Sequence, residues 1–303
     1  MIRTVDRGLR EAFHREYMTF FERAERTRRW NPFTDVDWDA LGAEPGDEQL
    51  ARCAETFCGV EMFLPDYLDA HLELFGGNYG QAWFGANWGY EESKHSLVLR
   101  EYLHRSGQRT EEQLFDFADD VLARTWRSPY QEGRRMVVYG AVQELTTFAV
   151  YRKQRELALA KGAGVLAGIY RLIGRDEMAH ARFYQRMIAL HLDADREGTL
   201  ADLAHVLRTF RMPAEDVLPD YEARIAVMRT AGVDSGAFLL DVVLPTLGAL
   251  GLDRHDLPGP PARAAVDTPL RGTPQPPVSA PPGSRGAAAP APPGSRAAAP
   301  AAP

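Results

Sequence analysis

The chain has 303 residues, with 35 Lys and Arg against 42 Asp and Glu, and therefore a formal net charge of -7. Fourteen of its 21 prolines lie in residues 258–303, a segment with no Phe, Tyr or Trp and with four Arg against one Asp. Such a segment cannot bury enough apolar surface to offset its ordering entropy, so we expect a disordered tail there. The remaining residues, 1–257, carry a net charge of -10 and are long enough for one large domain.

This composition excludes several classes of protein. The acidic body lacks the basic surface that a general nucleic-acid-binding protein needs. The sequence has no run of about 18 apolar residues for a membrane span, and its first residues lack the apolar core of a secretory signal. Two cysteines, Cys53 and Cys58, predict neither a disulfide framework nor a zinc site. We therefore expect a cytoplasmic protein.

The apolar residues of the body recur with a period near 3.6, which predicts an all-α fold. In chain order, helices are predicted over residues 5–28, 47–75, 79–105, 110–126, 131–160, 163–191, 197–210, 219–231 and 235–249. Pro65 stands within the second segment, where a proline can bend a helix. Gly107 and Gly162 are signals for helix ends. Long helices with short connections predict a four-helix bundle core with additional helices.

Four Glu-x-x-His pairs occur in these segments, and residues three apart project from the same face of a helix. The motif is short enough to arise by chance, so some pairs must be decoys. Glu92 and Glu101 are about 2.5 turns apart on one helix and point to opposite faces. Glu92 and His95 interrupt an apolar stripe, whereas Glu101 and His104 stand in a polar one. The second pair is predicted to be exposed.

The order of the buried acidic residues gives a stronger signal. Glu177 and His180 also stand in an apolar stripe, and Glu61 and Glu144 are lone acidic residues on apolar faces. Glu61 precedes Glu92 by 31 residues and Glu144 precedes Glu177 by 33, so two helix hairpins repeat one pattern. Together they place four carboxylates and two imidazoles in one bundle, which predicts a di-iron or di-manganese site. The pair Glu11 and His14 has no partner hairpin, so it is read as structural.

Four segments carry a resemblance to a known family: EMFLPDYL (61–68), EESKHS (91–96), QELTTF (143–148) and DEMAHARFY (176–184). They resemble the soluble acyl-acyl carrier protein desaturases. The resemblance implies a ferritin-like homodimer with two iron ions, manganese being the other metal that the ligand types suit. It also implies that O2 and electrons from reduced ferredoxin are used to place a cis double bond in an acyl chain on acyl carrier protein. The implied metal ligands are Glu61, Glu92, His95, Glu144, Glu177 and His180.

Three more residues match the family's motifs. Thr147, one turn after Glu144, resembles the threonine that takes part in oxygen activation, although a buried threonine can also simply bond its own helix. Asp176 resembles the carboxylate that orients a ligand imidazole, here that of His95. Trp30 resembles the tryptophan at the surface end of the same chain of residues, which is proposed to pass electrons inward; its alternative role is packing against a helix end.

Other chemistry remains open on the same scaffold. A di-iron hydroxylase or N-oxygenase shares the ligand pattern, and a non-catalytic ferritin-like metal-binding protein is the alternative class. Small residues near the predicted ligands (Gly85, Gly89, Gly140 and Ala141) leave room for a narrow acyl channel or allow helices to pack closely.

The implied partners, acyl carrier protein and ferredoxin, are acidic, so docking on this acidic chain requires local basic surfaces. The candidates are Arg23, Arg26, Arg28 and Arg29, and further along the chain Arg152, Lys153 and Arg155.

Overall fold

The computed structural model describes residues 6–229 and 235–259. The predicted all-α fold is confirmed, because the ordered elements in these two ranges are helices. None of these helices is both long enough and apolar enough to cross a membrane. The predicted tail lies outside the described residues from 260 onward, so the tail and the domain boundary at 257 stay predictions.

Eight helices precede residue 210 in the described chain: α1 (Arg7–Thr27), α2 (Glu48–Glu61), α3 (Leu64–Phe75), α4 (Tyr79–Arg105), α5 (Glu111–Leu122), α6 (Gly133–Ala160), α7 (Gly164–Ala194) and α8 (Arg196–Thr209). A 3-10 helix, Trp38–Ala43, lies between α1 and α2. Two short helices follow, α9 (Ala214–Val217) and α10 (Tyr221–Arg229). The last described helical stretch comprises Ser235–Phe238, a π-helical turn Leu239–Val243, and Leu244–Ala249.

The prediction of one helix over 47–75 is wrong. Instead, α2 ends at Glu61 and α3 begins at Leu64, with Pro65 in the first turn of α3. Proline has no N–H, and it is tolerated in a first turn because the N–H groups there have no partner within the helix. Pro65 therefore starts a helix rather than bending one, and Glu61 is the last residue of its own helix.

The four helices α2, α4, α6 and α7 form the bundle core. Helix α6 packs along α7 and α2 packs along α4, while α1 lies against both α4 and α7. Three residues connect α6 to α7, and the last turn of α6 is followed by Gly162 with a φ of 79°. Glycine adopts this left-handed conformation without a steric penalty. The chain therefore reverses direction between α6 and α7, at the helix end that Gly162 predicts from the sequence.

Candidate metal centre

The structure brings the six predicted ligands together in the middle of the bundle. One ligand atom from each of Glu61, Glu92, His95 and Glu177 lies within 4.8 Å of the others. The same holds for Glu92, Glu144, Glu177 and His180. Glu92 and Glu177 belong to both groups. Two adjacent sites that share two carboxylates are the arrangement expected of a dinuclear centre with bridging ligands.

The inward-facing atoms of this cluster fit a cation. All six side chains are buried. Within the described chain, the atoms left without a hydrogen-bond partner include Nδ1 of both imidazoles and both carboxylate oxygens of Glu177. Buried polar atoms without partners are costly unless an unseen water or ion satisfies them. Four carboxylates and two imidazoles are a donor set that suits iron or manganese.

The outer nitrogen of each imidazole faces a carboxylate that does not belong to the cluster. His95 Nε2 lies 3.5 Å from Asp176 Oδ2, and His180 Nε2 lies 2.7 Å from Glu91 Oε2. Metal-ligating histidines generally donate their second N–H in this way, which fixes the ring orientation. Both imidazoles therefore direct Nδ1 toward the cluster.

The charges within the cluster depend on one another. Burial, together with the charge of Glu92, raises the pKa of Glu61 to about 8. Burial would also raise the pKa of Glu92, but the imidazoles of His95 and His180 hold that pKa at about 2. Burial lowers the pKa of each imidazole less than the neighbouring carboxylates raise it, so both pKa values lie well above 6.5. Protons held by such a cluster are released when a cation binds.

Asp176 is the centre of a buried network between α1, α4 and α7. It accepts hydrogen bonds from Trp30 Nε1 at 2.6 Å and from Arg28 Nη1 at 2.7 Å. The Trp30 ring is stacked on His95 with 6.5 Å between the centroids, and Lys94 Nζ lies over the Trp30 ring, 4.6 Å from its centroid. Trp30 is only 5% exposed. The resemblance implies that Trp30 stands at the surface end of this chain of residues, but in the structure its side chain is buried.

Thr147 lies on the cavity side of α6, near the predicted ligand Glu144. Its hydroxyl donates to the backbone carbonyl of Gln143 at 3.0 Å, and the Gln143 side chain donates to the same hydroxyl oxygen at 3.3 Å. The proton of Thr147 is therefore held by its own helix in this structure. The hydroxyl oxygen stays within reach of the cavity.

Three residues that touch the cluster were missed by the sequence reasoning. Glu91 holds His180, Trp88 Nε1 donates to Glu144 at 3.0 Å, and the Tyr151 hydroxyl donates to Glu61 at 3.0 Å. A weak signal exists for two of them, because Trp88 stands one turn before a predicted ligand and Tyr151 two turns after one. For Glu91 the only signal in the sequence is that it stands next to a predicted ligand.

The two pairs set aside as decoys behave as ordinary helix residues. Glu101 forms an ion pair with Arg105 one turn later, and His104 is exposed. Glu11 is exposed and forms an ion pair with Arg7. Neither pair is part of the two groups of ligand atoms described above.

The prediction that Arg28 belongs to a surface basic cluster for acidic partners is wrong. Arg28 is 7% exposed and binds Glu91 and Asp176, so its charge is used inside the protein. In the second cluster, Arg152 forms an ion pair with Asp241 at 2.9 Å. Sequence alone could not separate these roles, because the acidic partners are distant along the chain.

An internal cavity of about 130 Å³ lies beside the carboxylates of Glu61, Glu92 and Glu144. It runs from these carboxylates between α3 and α6 toward α10, and most of its wall is apolar. Its volume is below the roughly 300–1,000 Å³ of typical small-molecule sites, but an apolar wall with a few polar groups at one end is the lining that such sites have. Side chains that line it away from the carboxylates include Trp126, Met136, Tyr139, Phe210 and Ile225.

The small residues near the ligands mainly serve helix packing. A Cβ on Gly85 would lie 2.3 Å from the ring of His71, and one on Gly89 would lie 3.2 Å from Leu68. These glycines allow α3 to approach α4 closely. Gly140 does line the cavity, but a Cβ there would lie 2.7 Å from the ring of Tyr184. The channel expected from these residues is therefore bounded at Gly140 by an aromatic ring.

Comparison with known proteins identifies the family. The sequence model of the fatty acid desaturase family matches residues 61–247, more than half of the chain. The chain belongs to this family. The matched range contains all six predicted ligands, and the resemblance to the acyl-acyl carrier protein desaturases is confirmed.

Two relatives show how similar this sequence is to other desaturases. DesA2 of Mycobacterium tuberculosis, whose name assigns it provisionally to the acyl-acyl carrier protein desaturases, is 26% identical over 226 residues. That match covers 71% of this chain and 77% of the relative. A chloroplastic stearoyl-acyl carrier protein 9-desaturase 6 of Arabidopsis thaliana is 33% identical over 135 residues, covering 42% of this chain and 33% of the relative.

Two solved structures show the fold. The X-ray structure of DesA2 from Mycobacterium tuberculosis superposes with a TM-score of 0.59 at 21% identity, covering 81% of this chain and 95% of the other. An R2-like ligand-binding oxidase from Sulfolobus acidocaldarius gives a TM-score of 0.51 at 13% identity, covering 80% of this chain and 91% of the other. The predicted ferritin-like architecture is confirmed.

Proposed function

We propose that this desaturase family member uses O2 to introduce a cis double bond into a fatty acyl chain carried on acyl carrier protein. One observation carries the proposal: two groups of four ligand atoms share Glu92 and Glu177 beside an apolar cavity. Membership of the fatty acid desaturase family supports the reaction class. Relatives named as acyl-acyl carrier protein desaturases support the form in which the acyl chain arrives.

The proposed cofactor is a pair of iron ions, with manganese as the other metal that the ligands suit. The proposed ligands are Glu61, Glu92, His95, Glu144, Glu177 and His180. Bound there, the metal pair would supply the oxidising power for removing two hydrogens from adjacent methylenes, with O2 as the oxidant. The protein holds the ligand imidazoles through Asp176 and Glu91, and it excludes water, because the whole cluster is buried.

The cavity is the proposed site of the acyl chain. Its apolar wall matches a hydrocarbon, and its carboxylate end places the chain next to the metal ligands. Thr147 stands at that end, and its hydroxyl is the proposed group that hands on a proton during the reaction. To do so it exchanges its present hydrogen bond to the Gln143 carbonyl for one that points into the cavity.

Further proposals concern the electron donor, the oligomeric state and the location in the cell. Reduced ferredoxin is the proposed electron donor, and the chain of contacts from Trp30 through Asp176 to His95 is the proposed route inward. The protein is also proposed to form a homodimer and to be located in the cytoplasm. The buried contact between Trp30 and Asp176 supports the route, since the two side chains and His95 are in direct contact.

The first experiment measures metal. The metal-free protein is loaded anaerobically with Fe(II), and about two irons per chain are expected. Glu144→Ala removes a proposed ligand and should lower the iron content. Glu101→Ala is the matched control, because it removes a glutamate from a solvent-facing ion pair on α4. Wild-type iron content in Glu144→Ala would refute the ligand assignment.

The second experiment identifies the reaction. Acyl-acyl carrier protein substrates are incubated with the iron-loaded protein, ferredoxin, ferredoxin reductase and O2, and the acyl products are analysed by mass spectrometry. A product that has lost two hydrogens supports desaturation. A product that has gained one oxygen, without an alkene, would transfer the assignment to a hydroxylase. Iron uptake with no product from any acyl substrate would favour a metal-binding protein.

A further inference from the structure

A second pocket, of about 580 Å³, lies between α1 and α7. Of the described residues, none lines both this pocket and the cavity beside the carboxylates, so a ligand here leaves the proposed acyl site free. Its volume falls within the roughly 300–1,000 Å³ of typical small-molecule sites. The charged residues in its described lining are five arginines and one glutamate: Arg23, Arg28, Arg175, Arg182, Arg186 and Glu16. The pocket is therefore basic, although the chain as a whole has a formal net charge of -7.

Two contacts fix how α1 and α7 pass each other at this pocket. Arg175 Nη2 donates to the backbone carbonyl of Arg28, the residue after α1, at 2.6 Å. Nearer the start of α1, Glu16 Oε2 lies 3.7 Å from Arg186 Nε. The later residue on α7 is level with the earlier residue on α1, so the two helices are antiparallel. The stretch between the two contacts is where the pocket lies.

Arg23 and Arg182 lie within this stretch, one on each helix. Both side chains are exposed and line the pocket. Within the described ranges neither of them forms an ion pair with a carboxylate. Arg26, on the same helix as Arg23, is by contrast paired with Glu22 at 2.8 Å. Positive charges that line a pocket without acidic partners attract an anion.

Two buried nitrogens of the lining arginines point to the same kind of ligand. Arg28 is 7% exposed, and its Nη1 donates to Glu91 and Asp176. Its Nη2 has no hydrogen-bond partner in the described part of the chain, and the same holds for Nε of Arg175. Buried donors without an acceptor are costly. An anion in this pocket brings acceptors next to both residues.

The number of guanidinium groups favours a phosphate over a carboxylate. A carboxylate offers two oxygens and one negative charge, whereas a phosphate monoester offers three acceptor oxygens and nearly two charges. Arginine binds phosphate through paired N–H···O bonds. Arg23, Arg175 and Arg182 are free of ion pairs with described carboxylates, so three guanidinium groups remain for one ligand.

Much of the remaining wall is apolar. It includes the side chains of Phe20, Phe148, Met178 and Phe183. A free phosphate ion would leave this apolar surface in contact with water. A ligand that carries an apolar group on its phosphate covers that surface and gains from its burial.

We propose that the pocket between α1 and α7 binds a phosphate monoester whose organic part is apolar. Arg23, Arg175 and Arg182 hold the phosphate, and the organic part lies against the rings of Phe20 and Phe183. Binding forms and breaks no covalent bond. The site needs neither the metal pair nor the acyl chain, so this inference does not rest on the proposed function.

The test uses the full chain without added metal at about pH 7, where a phosphate monoester carries roughly two negative charges. Isothermal titration calorimetry compares phenyl phosphate, inorganic phosphate, benzoate and phenol as ligands. Phenyl phosphate should bind to one site per chain, roughly tenfold more tightly than inorganic phosphate, because its ring is buried. It should also bind more tightly than benzoate, and phenol should give no measurable binding.

Variants locate the site. Arg23→Gln and Arg182→Gln should each weaken the binding of phenyl phosphate roughly tenfold, or about 1.4 kcal/mol, because each removes a charged donor. Arg15→Gln is the matched control, since Arg15 is an exposed arginine of α1 that does not line the pocket. It removes the same charge from the same helix and should keep wild-type affinity.

Each outcome decides the proposal. Absence of phenyl phosphate binding, wild-type affinity in both pocket variants, or an equal loss in Arg15→Gln would overturn the site. Inorganic phosphate that binds as tightly as phenyl phosphate would overturn the apolar part of the ligand, and tighter binding of benzoate would overturn the choice of phosphate. Circular dichroism checks that each variant is folded. Iron does not enter these measurements, so a negative result leaves the proposed function standing.

Discussion

Replacing Asp176 with asparagine is the most informative single change at the candidate centre. The carboxylate of Asp176 is buried against three positive or donating groups: Arg28 at 2.7 Å, Trp30 at 2.6 Å and Lys94 at 3.8 Å. Asparagine keeps the shape but removes the negative charge. Arg28 and Lys94 then remain buried with Glu91 as the nearest compensating charge in the network.

The expected magnitude follows from this geometry. Breaking a buried ion pair by removing one partner costs about 3–5 kcal/mol of unfolding free energy. The second effect acts on metal binding, because Asp176 also faces His95 Nε2 at 3.5 Å. Loss of a carboxylate that orients a ligand imidazole lowers metal affinity roughly 10–100-fold, or about 1.4–2.8 kcal/mol.

Two assays separate these effects. Urea unfolding of the metal-free protein measures the first, and competition with a chelator for Fe(II) measures the second. Glu101→Gln is the control, because it removes the charge of a solvent-facing ion pair with Arg105 and should change stability by no more than about 0.5 kcal/mol. Wild-type iron affinity in Asp176→Asn would refute the orienting role, and wild-type stability would refute the reasoning about buried charge.

Three further predictions test other parts of the structure. Thr147→Val should keep the iron content but lower turnover roughly a hundredfold, since it removes a hydroxyl at the cavity. Thr199→Val is the control, because it also removes a buried hydroxyl bonded to the backbone carbonyl four residues earlier; equal turnover in both variants would contradict the role. Gly85→Ala should lower the unfolding free energy by about 1–3 kcal/mol, because its Cβ would overlap a neighbouring ring. In Gly168→Ala, where no atom lies within 4 Å of the new Cβ, we expect a gain of up to about 1 kcal/mol in urea unfolding, and a similar gain in Gly85→Ala would contradict the packing argument. Finally, the metal-free protein should lose stability as the pH rises from about 6.5 to about 8, because burial raises the pKa of Glu61 and the folded state then holds a proton that the unfolded state has lost. A melting temperature that stays constant or rises over this range would refute the prediction.

The sequence determined which helical faces are buried, because helix periodicity is a local property of the chain. Glu92 and Glu101 stand on the same helix; their spacing places them on opposite faces, and the residues around each assigned the first to the core and the second to a more polar face. The spacing of lone glutamates before Glu-x-x-His pairs also predicted that six side chains converge. This inference needed only the order of residues and the tendency of long helices to pack as a bundle.

Tertiary structure decided what surrounds those six side chains. Arg28 reads as part of a surface cluster, yet it is buried between Glu91 and Asp176, which are 63 and 148 residues away in the chain. The hydrogen bond from Tyr151 to Glu61 spans 90 residues. Partners so far apart leave no periodic signal, because their contact depends on how the helices rotate and pack against one another. The local pattern therefore predicted the convergence of the candidate ligands, whereas the fold alone decided which groups contact and orient them.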